Sequence, residues 1–532
     1  MSISARTGVK RWFVFLAIAL LGITCYPTEK RINVQKENLA DIRMTETPTK
    51  IHLTDGSVIL AENGFTVLKD AISCRAKRYS FQRTAYPSRE WIVPMDSIAG
   101  LEYFDRSVDG ARTLGSLIFG ATITFEVAVA AVILLKAIFG SCPTVYSLDA
   151  AGERLEAECF SYSISRQFEM NDLDRLSVDP AYGGNLRLRL KNEALETHYV
   201  DRFRLAYVDH PAYVEVYPDD DGNVLAISQP RAPLRAATSD GVDILPRITA
   251  RDDISYTSGL AAVRRMLAEN QKDRIECTIV RPSQAQDVVV VLRVRNTLQN
   301  TVLLYDVMMR DQGIYVLEWL DRISNNLLEA YSLYRWYKNF AGMEVALVNR
   351  GRIEHREKIF DTGPIAWKDV AVHLPLDDDT DTVTIRFEFL PDNWAIDYIG
   401  FSFDSRTHSP LRYASLEEAK DQSGAPLGER RRLVDEDDGE YLVTYPGESI
   451  DFGFVLPPLS DARRTLFVDS KGFYIEWVRP EWIKQRPDIL QFDPADVPLH
   501  RKRLAELWVE KKDRFERQFF DARIPTTKRE EP

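Results

Sequence analysis

The chain has 532 residues and a formal net charge of −12, with 80 acidic against 68 basic side chains. This balance excludes nucleic-acid binding as the main function, because phosphate binding needs a clustered basic surface. The length suffices for several domains, and five cysteines without a Cys-x-x-Cys pair indicate neither a zinc site nor a disulfide scaffold.

Residues 1–25 predict a lipoprotein-type signal or anchor. Arg6, Lys10 and Arg11 precede an apolar run over residues 12–23, and Cys25 follows that run. A basic flank and a short apolar stretch are typical of a secretory signal. We expect acylation of Cys25 after cleavage, and an uncleaved anchor helix is the alternative.

Residues 26–47 are polar and aperiodic, which predicts a tether between the anchor and the folded chain. Residues 48–107 predict a small β domain. Its strongest signal is Asp55-Gly56 between alternating apolar residues, which is typical of a β-hairpin.

Residues 113–140 contain a candidate transmembrane helix. Between residues 113 and 135 the only charged side chain is Glu126. A helix of this length spans about 35 Å, which exceeds a hydrocarbon core of about 30 Å. A buried helix in a globular domain is the alternative, and the side of the membrane that holds residues 141–532 stays open.

Most of the remaining chain has the period-two pattern of antiparallel sheet. The pattern predicts a β domain at 141–250, a short helical connector at 251–274, and a jelly-roll-like β-sandwich at 275–404 with a helical insertion near 316–340. A continuous apolar run at 288–292 predicts a strand buried on both faces. The fold class is therefore mainly β.

The last part of the chain predicts a charged linker at 405–440 and a β domain at 441–532 that ends in an amphipathic helix. One stripe of that helix carries Leu504, Leu507, Trp508, Phe515 and Phe519. Such a stripe favours packing on the helix's own domain, with a membrane surface or a partner as the alternative.

The densest polar cluster comprises Glu193, Glu196, His198 and Asp201. On a strand Glu196 and His198 share one face while Asp201 points to the other, so a metal would need a ligand from a neighbouring strand. Structural hydrogen bonding is the favoured interpretation, and a metal or acid/base pair is the alternative. No nucleophile elbow, HExxH or glycine-rich phosphate loop is present, and no cofactor is predicted.

Two residue sets leave alternatives open. Cys142 and Cys159 are the only close cysteine pair, for which two buried thiols are favoured over a disulfide. Trp336, Trp367 and Trp394 would serve a carbohydrate-binding sandwich if they formed an exposed apolar face, whereas helical spacing favours packing for the aromatic residues near 331–340.

Five short phrases spread along the chain are Leu53-Thr54-Asp55-Gly56, Val93-Pro94-Met95-Asp96-Ser97-Ile98, Ser141-Cys142-Pro143, Glu196-Thr197-His198-Tyr199-Val200-Asp201 and Gly472-Phe473-Tyr474-Ile475-Glu476-Trp477. In these phrases, together with Cys25 and the hydrophobic segment, the chain resembles a loose group of uncharacterised bacterial envelope proteins, often predicted lipoproteins. The resemblance implies a location in the bacterial cell envelope and brings no activity.

The sequence therefore predicts a membrane-anchored envelope protein with a binding or scaffolding function. The membrane is its first expected partner, followed by envelope proteins or glycans, and nucleic acid is not expected. The alternatives are a carbohydrate-binding protein that uses the 275–404 sandwich, and a hydrolase or metal-dependent enzyme that uses the cluster from Glu193 to Asp201.

Overall fold

The structure is a computed structural model. It describes residues 30–35, 46, 49–53, 58–61, 63–79, 85–105, 142–149, 152–178, 184–194, 196–252, 254–269, 271–315, 319, 323, 326–360, 362–376, 380–406, 410–435, 437–444, 448–459, 463–476 and 495–521. The predicted signal with Cys25 and the candidate transmembrane helix at 113–140 lie outside the described residues. No helix in the described part of the chain is long and apolar enough to cross a membrane.

An antiparallel sheet of seven strands, sheet I, forms the amino-terminal part. Its strands are β1 (Lys30–Gln35), β2 (Thr49–Leu53), β3 (Val58–Ala61), β4 (Thr66–Val67), β5 (Ala71–Tyr79), β6 (Ala85–Pro94) and β7 (Ile98–Asp105). Strands β2 and β3 pair as the hairpin that Asp55-Gly56 predicts. The core of sheet I includes the fully buried Ile51, Ile72 and Leu101.

Strand β1 corrects the predicted tether at 26–47. Residues 30–35 pair with β7 along their whole length and form one edge of sheet I. Ile32 and Val34 alternate with polar neighbours. Only six residues carry this alternation, which is why the surrounding polar sequence concealed a strand.

The rest of the chain carries strands β8 to β28. They are β8 (Thr144–Asp149), β9 (Gly152–Glu158), β10 (Met170–Arg175), β11 (Asn185–Lys191), β12 (Glu196–His210), β13 (Val214–Pro218), β14 (Val224–Ser228), β15 (Arg235–Thr238), β16 (Asp273–Val280), β17 (Asp287–Asn296), β18 (Met343–Asn349), β19 (Arg352–Ile359), β20 (Lys368–Pro375), β21 (Thr382–Phe389), β22 (Trp394–Ser402), β23 (Ser405–Arg406), β24 (Arg412–Tyr413), β25 (Ser415–Asp421), β26 (Leu442–Thr444), β27 (Ser449–Val455) and β28 (Arg463–Glu476).

In the described residues, four α-helices accompany these strands: α1 (Gly259–Glu269), α2 (Leu298–Val302), α3 (Leu327–Ala341) and α4 (Val497–Asp521). A π-helical turn (Leu303–Met309) and a 3-10 segment (Arg310–Tyr315) follow α2. Shorter 3-10 turns lie at Met95–Ser97, Arg166–Phe168, Leu245–Arg247 and Gly428–Val434.

Strands β8 to β28 form five antiparallel sheets. Sheet II has the order β25-β27-β11-β8-β9, and sheet III has β10-β28-β12-β24, with β26 also paired to β12. Sheet IV is β13-β14-β23, sheet V is β20-β17-β22, and sheet VI is β15-β16-β21-β18-β19. The prediction of a mainly β chain with several sheets is confirmed.

The five sheets pack face to face in the order II to VI, which we call the five-sheet stack. Sheets II and III meet directly, with the rings of Phe203 and Phe452 4.7 Å apart. Sheet IV packs one face on sheet III through Val224 and Ala226, and the other on sheet V through Leu225 and Ile227. Because successive side chains of a strand point to opposite faces, such doubly covered strands are apolar at every position.

Strand β17 confirms the prediction that the apolar run at 288–292 is a strand buried on both faces. Val288, Val290 and Leu292 face the core shared with sheet VI, and Val289 and Val291 face sheet IV. Sheets V and VI enclose that core as a two-sheet sandwich, with three strands in sheet V and five in sheet VI among the described residues. The sandwich begins at β15, upstream of the predicted start at residue 275.

The carboxyl-terminal third differs from the predicted division into a linker at 405–440 and a separate β domain at 441–532. Strand β25 joins sheet II beside β27, and β28 lies between β10 and β12 in sheet III. The boundary at residue 441 therefore does not separate two folding units. Strand pairing across about 260 residues leaves no local signal in the sequence, and β25 has only two buried side chains, Leu416 and Ala419.

The helices cover one side of the core between sheets II and III. On α4, Leu504 and Trp508 are fully buried in that core, so the predicted stripe packs on the helix's own protein. Lys511 forms an ion pair with Asp306 at 2.6 Å, which fixes α4 on the π-helical turn.

Candidate functional site: an arginine-lined cleft

A polar cleft of about 270 Å³ opens where sheets II, III and V meet. Its walls come from β9, β10, β17, β20 and β28 and from the loops that follow β10 and precede β20. Small-molecule sites are concave and occur preferentially between packed units. A second cavity, of about 30 Å³ and mainly apolar, has room for only one or two waters.

Four arginines line the cleft: Arg175 on β10, Arg251 before α1, Arg293 on β17 and Arg464 on β28. Strand alternation places Arg293 on the same face of β17 as Val289 and Val291, where the small sheet IV no longer covers it.

Asp369 on β20 is the register partner of Arg293 and lies at the centre of the arginines. Its carboxylate accepts a hydrogen bond from Arg175 Nη1 at 2.8 Å and from Arg251 Nη1 at 2.7 Å. Burial opposes the ionisation of Asp369, but Arg251, Arg175 and Arg293 together hold its pKa below the ordinary value. The carboxylate is therefore ionised at neutral pH.

Aromatic rings orient two of the guanidinium groups. Arg175 lies over the ring of Tyr217 at 4.6 Å, and Arg251 lies over the ring of Tyr398 at 4.7 Å. Arg251 Nη2 also donates to the Tyr217 hydroxyl at 2.9 Å. Cation–π contacts and a shared carboxylate hold both groups in fixed orientations before any ligand enters.

The other two arginines have carboxylate partners outside the lining of the cleft. Arg464 pairs with Asp209, with Nη2 2.9 Å from a carboxylate oxygen, and is almost fully buried. Arg293 Nε lies 3.0 Å from the buried Asp397. The half-buried Trp367 adds a flat apolar face to the wall, with Arg295 4.7 Å above its ring.

The predicted cluster at 193–201 does not assemble into one site. Glu193 accepts hydrogen bonds from the hydroxyls of Thr144 at 2.9 Å and Tyr146 at 2.7 Å. Glu196 and His198 form a fully buried pair, with His198 Nε2 3.1 Å from the carboxylate.

Asp201 occupies a third environment. A β-bulge between Val200 and Arg202 shifts the register there, and Asp201 accepts from the Gly439 amide at 3.0 Å and pairs with Lys471 at 2.9 Å. Within the described residues no group of three or more His, Cys, Asp or Glu side chains could hold a metal. Each member of the cluster has a hydrogen-bond partner in the fold. This agrees with structural hydrogen bonding, the interpretation that the sequence favours.

Other candidate residues are buried. Cys142 and Cys159 are free thiols, as favoured over a disulfide. Trp336 and Trp394 are buried, and the Trp394 indole donates to the carbonyl of Ala341 at 3.0 Å. Two of the three tryptophans required for a carbohydrate face are thus part of the core.

No family model and no curated protein matches the chain. Among solved structures, the GH31 alpha-xylosidase from Xanthomonas citri is similar at 8% identity with a TM-score of 0.15. The match covers 84% of this chain and 38% of that one, so this chain spans well under half of that structure. A likeness at this level carries no argument about fold or activity.

Proposed function

We propose that the protein is a membrane-anchored protein of the bacterial cell envelope that binds a small ligand in the arginine-lined cleft. The supporting observation is the cleft itself, which is concave, polar and bounded by three sheets. The basic and apolar amino terminus before Cys25 supports the anchor.

The alternatives have weaker support. A carbohydrate face would need exposed coplanar aromatic rings, and Trp336 and Trp394 are buried. A hydrolase would need the cluster from Glu193 to Asp201 around one substrate. Glu196 and His198 instead form a fully buried pair with each other, and Asp201 accepts from the Gly439 amide.

Filling the cleft tests the binding function. Val178 lines the cleft and is partly buried at the edge of the core between sheets II and III, so Val178→Trp adds volume to the cleft. Full-chain protein in detergent would be exposed to an envelope extract, and its bound small molecules identified by mass spectrometry.

We expect the wild type to retain a ligand that Val178→Trp loses. Val242→Trp, at an exposed position, is the matched control and should retain it. Equal retention by Val178→Trp, with unchanged circular dichroism, would contradict binding in the cleft.

The anchor has a separate test. Labelling cells with radioactive palmitate should mark the wild-type protein and leave Cys25→Ser unmarked. Equal labelling of the two, or a wild-type protein recovered entirely from the soluble fraction, would contradict acylation at Cys25.

A further inference from the structure

We infer that the ligand of the cleft carries an oxyanion, phosphate or carboxylate, and that the arginine guanidinium groups hold it. This inference rests on the proposed binding function and names the chemical class of the ligand. Arginine is suited to the task because its planar fork of donors matches the paired oxygens of these groups.

The charges of the lining favour an anion. Four arginines line the cleft, but only two carboxylates do, Asp369 and Glu156. The carboxylates that pair with Arg293 and Arg464 lie outside the lining. A ligand in the cleft therefore meets more positive than negative groups.

Both lining carboxylates already have donors of their own. Glu156 accepts from Ser147 Oγ at 2.7 Å, from Arg154 Nε at 2.8 Å, and from the amide and hydroxyl of Ser177 at 2.7 and 2.9 Å. A cationic ligand would have to displace these bonds or those of Asp369. An anionic ligand would leave them in place.

Donor capacity remains on the arginines. A guanidinium has five N–H donors, and Arg175 gives one hydrogen bond, from Nη1 to Asp369, among the described residues. Its Nε is buried and has no hydrogen-bond partner within the described part of the chain. A buried donor without a partner is unfavourable, and an oxyanion would satisfy it.

Burial would strengthen the contact. The side chains of Arg293 and Arg464 are only 17% and 3% exposed, so their charges are poorly screened by salt. The aromatic support of Arg175 and Arg251 reduces the ordering that binding requires, which favours affinity.

Isothermal titration calorimetry on the full chain in detergent tests the inference. The buffer contains chloride as its only anion, so that no oxyanion other than the titrant is present. The titrants are inorganic phosphate and acetate, which separate the two oxyanion classes, and trimethylammonium chloride as the cationic counterpart. We expect phosphate, acetate or both to bind and the cation not to bind.

The variant is Arg175→Gln, which leaves Asp369 paired with Arg251. We expect it to weaken oxyanion binding about tenfold or more, the usual effect of losing a charged hydrogen bond. Arg187→Gln is the control, since Arg187 is exposed on β11, outside the lining of the cleft, and forms among the described residues one long ion pair, of 3.7 Å, with Asp451.

A second variant guards against misfolding. Arg293→Gln with Asp397→Asn removes one positive and one negative charge together, and should also weaken binding while circular dichroism stays unchanged. The inference is overturned if neither anion binds, or if both variants bind as the wild type does. A neutral or cationic ligand captured from extract and lost in Val178→Trp would overturn the oxyanion while leaving the binding function intact.

Discussion

Asp392 joins three elements through one buried carboxylate. Its oxygens accept from the amide of Gly259 at the start of α1 at 3.0 Å, from the Trp508 indole at 2.8 Å, and from Lys512 Nζ on α4 at 2.7 Å. Asp392 itself follows β21 in the sandwich and has a φ of 63°, a left-handed conformation that Asp and Asn tolerate better than other side chains. The sandwich and the helices are thus fixed to each other at this residue.

Replacing Asp392 should therefore loosen the helices. We expect Asp392→Ala to lower the free energy of unfolding by about 3 kcal/mol, because the buried Trp508 indole loses its acceptor and Lys512 keeps only the more exposed Glu516 as an ion-pair partner among the described residues. Asp392→Asn keeps an acceptor and the backbone preference and should cost clearly less. Urea unfolding measures both; Asp240→Ala, which removes a half-exposed ion pair with Arg265, should change the value by less than about 1 kcal/mol.

Glu169 gives the stability a dependence on pH. Burial raises the pKa of Glu169 to about 7; Lys471 opposes this shift and Asp201 adds to it. Between the ordinary pKa of 4.5 and about 7, the folded chain holds a proton that the unfolded chain has lost. The stability that protonated Glu169 gives the folded chain is therefore fully present below about pH 4.5 and is lost as the pH rises through 7.

The glutamine variant isolates this contribution. Glu169→Gln is neutral at every pH, so we expect it to remove a decline of about 2 kcal/mol in unfolding free energy between pH 5 and 8. Denaturant unfolding across that range would detect it. Glu357→Gln, at an exposed position on β19, should keep the wild-type slope, and an unchanged slope in Glu169→Gln would contradict the raised pKa.

At the scale of elements, substitutions in β25 test whether this part of the predicted linker at 405–440 is a strand of sheet II. Leu416 is buried in the core between sheets II and III, and its neighbour Glu417 is exposed. We expect Leu416→Ala to cost about 2–4 kcal/mol and Glu417→Ala less than about 0.5 kcal/mol in thermal or urea unfolding. If neither substitution changes the free energy of unfolding, the result would support the interpretation of this segment as a linker.

Elements with a strong local period could be predicted from the sequence. Helix α4 carries a long apolar stripe, and β17 has an unbroken apolar run because sheets IV and VI cover both of its faces. Strands β1 and β25 could not be predicted, because six or seven residues with only two apolar side chains resemble polar connecting sequence. Their partners, β7 and β27, decide that they are strands.

The cleft was beyond sequence reasoning for a related reason. The cleft residues Arg175, Arg293, Asp369 and Arg464 are distributed over nearly 290 residues. They come together through the pairing of β10 with β28, the pairing of β17 with β20, and the contact between these two sheets. The sequence contains one weak indication of the cleft. Arg293 interrupts an apolar run and Asp369 directly precedes one, and a charge at a doubly covered strand is costly unless it has a partner.

At the scale of the whole molecule, sheet IV decides how the chain unfolds. Its strands β13 and β14 are buried against sheet III on one face and sheet V on the other. A sheet of this size lacks a core of its own, so it is stable only while both neighbours are folded. Asp369 and Arg175 tie the same neighbours together across the cleft. The five-sheet stack should accordingly unfold as one cooperative unit.

Substitutions in two different cores, on either side of sheet IV, test this cooperativity. Leu205→Ala in sheet III and Ile385→Ala in sheet VI each remove a fully buried side chain, at an expected cost of about 2–5 kcal/mol. Both should lower the midpoint of the same calorimetric transition. Ile51→Ala in sheet I should leave that midpoint unchanged, because sheet I has a hydrophobic core of its own. Two main transitions, each sensitive to only one of the first two substitutions, would instead mean that the sandwich unfolds independently and that sheet IV does not couple its neighbours.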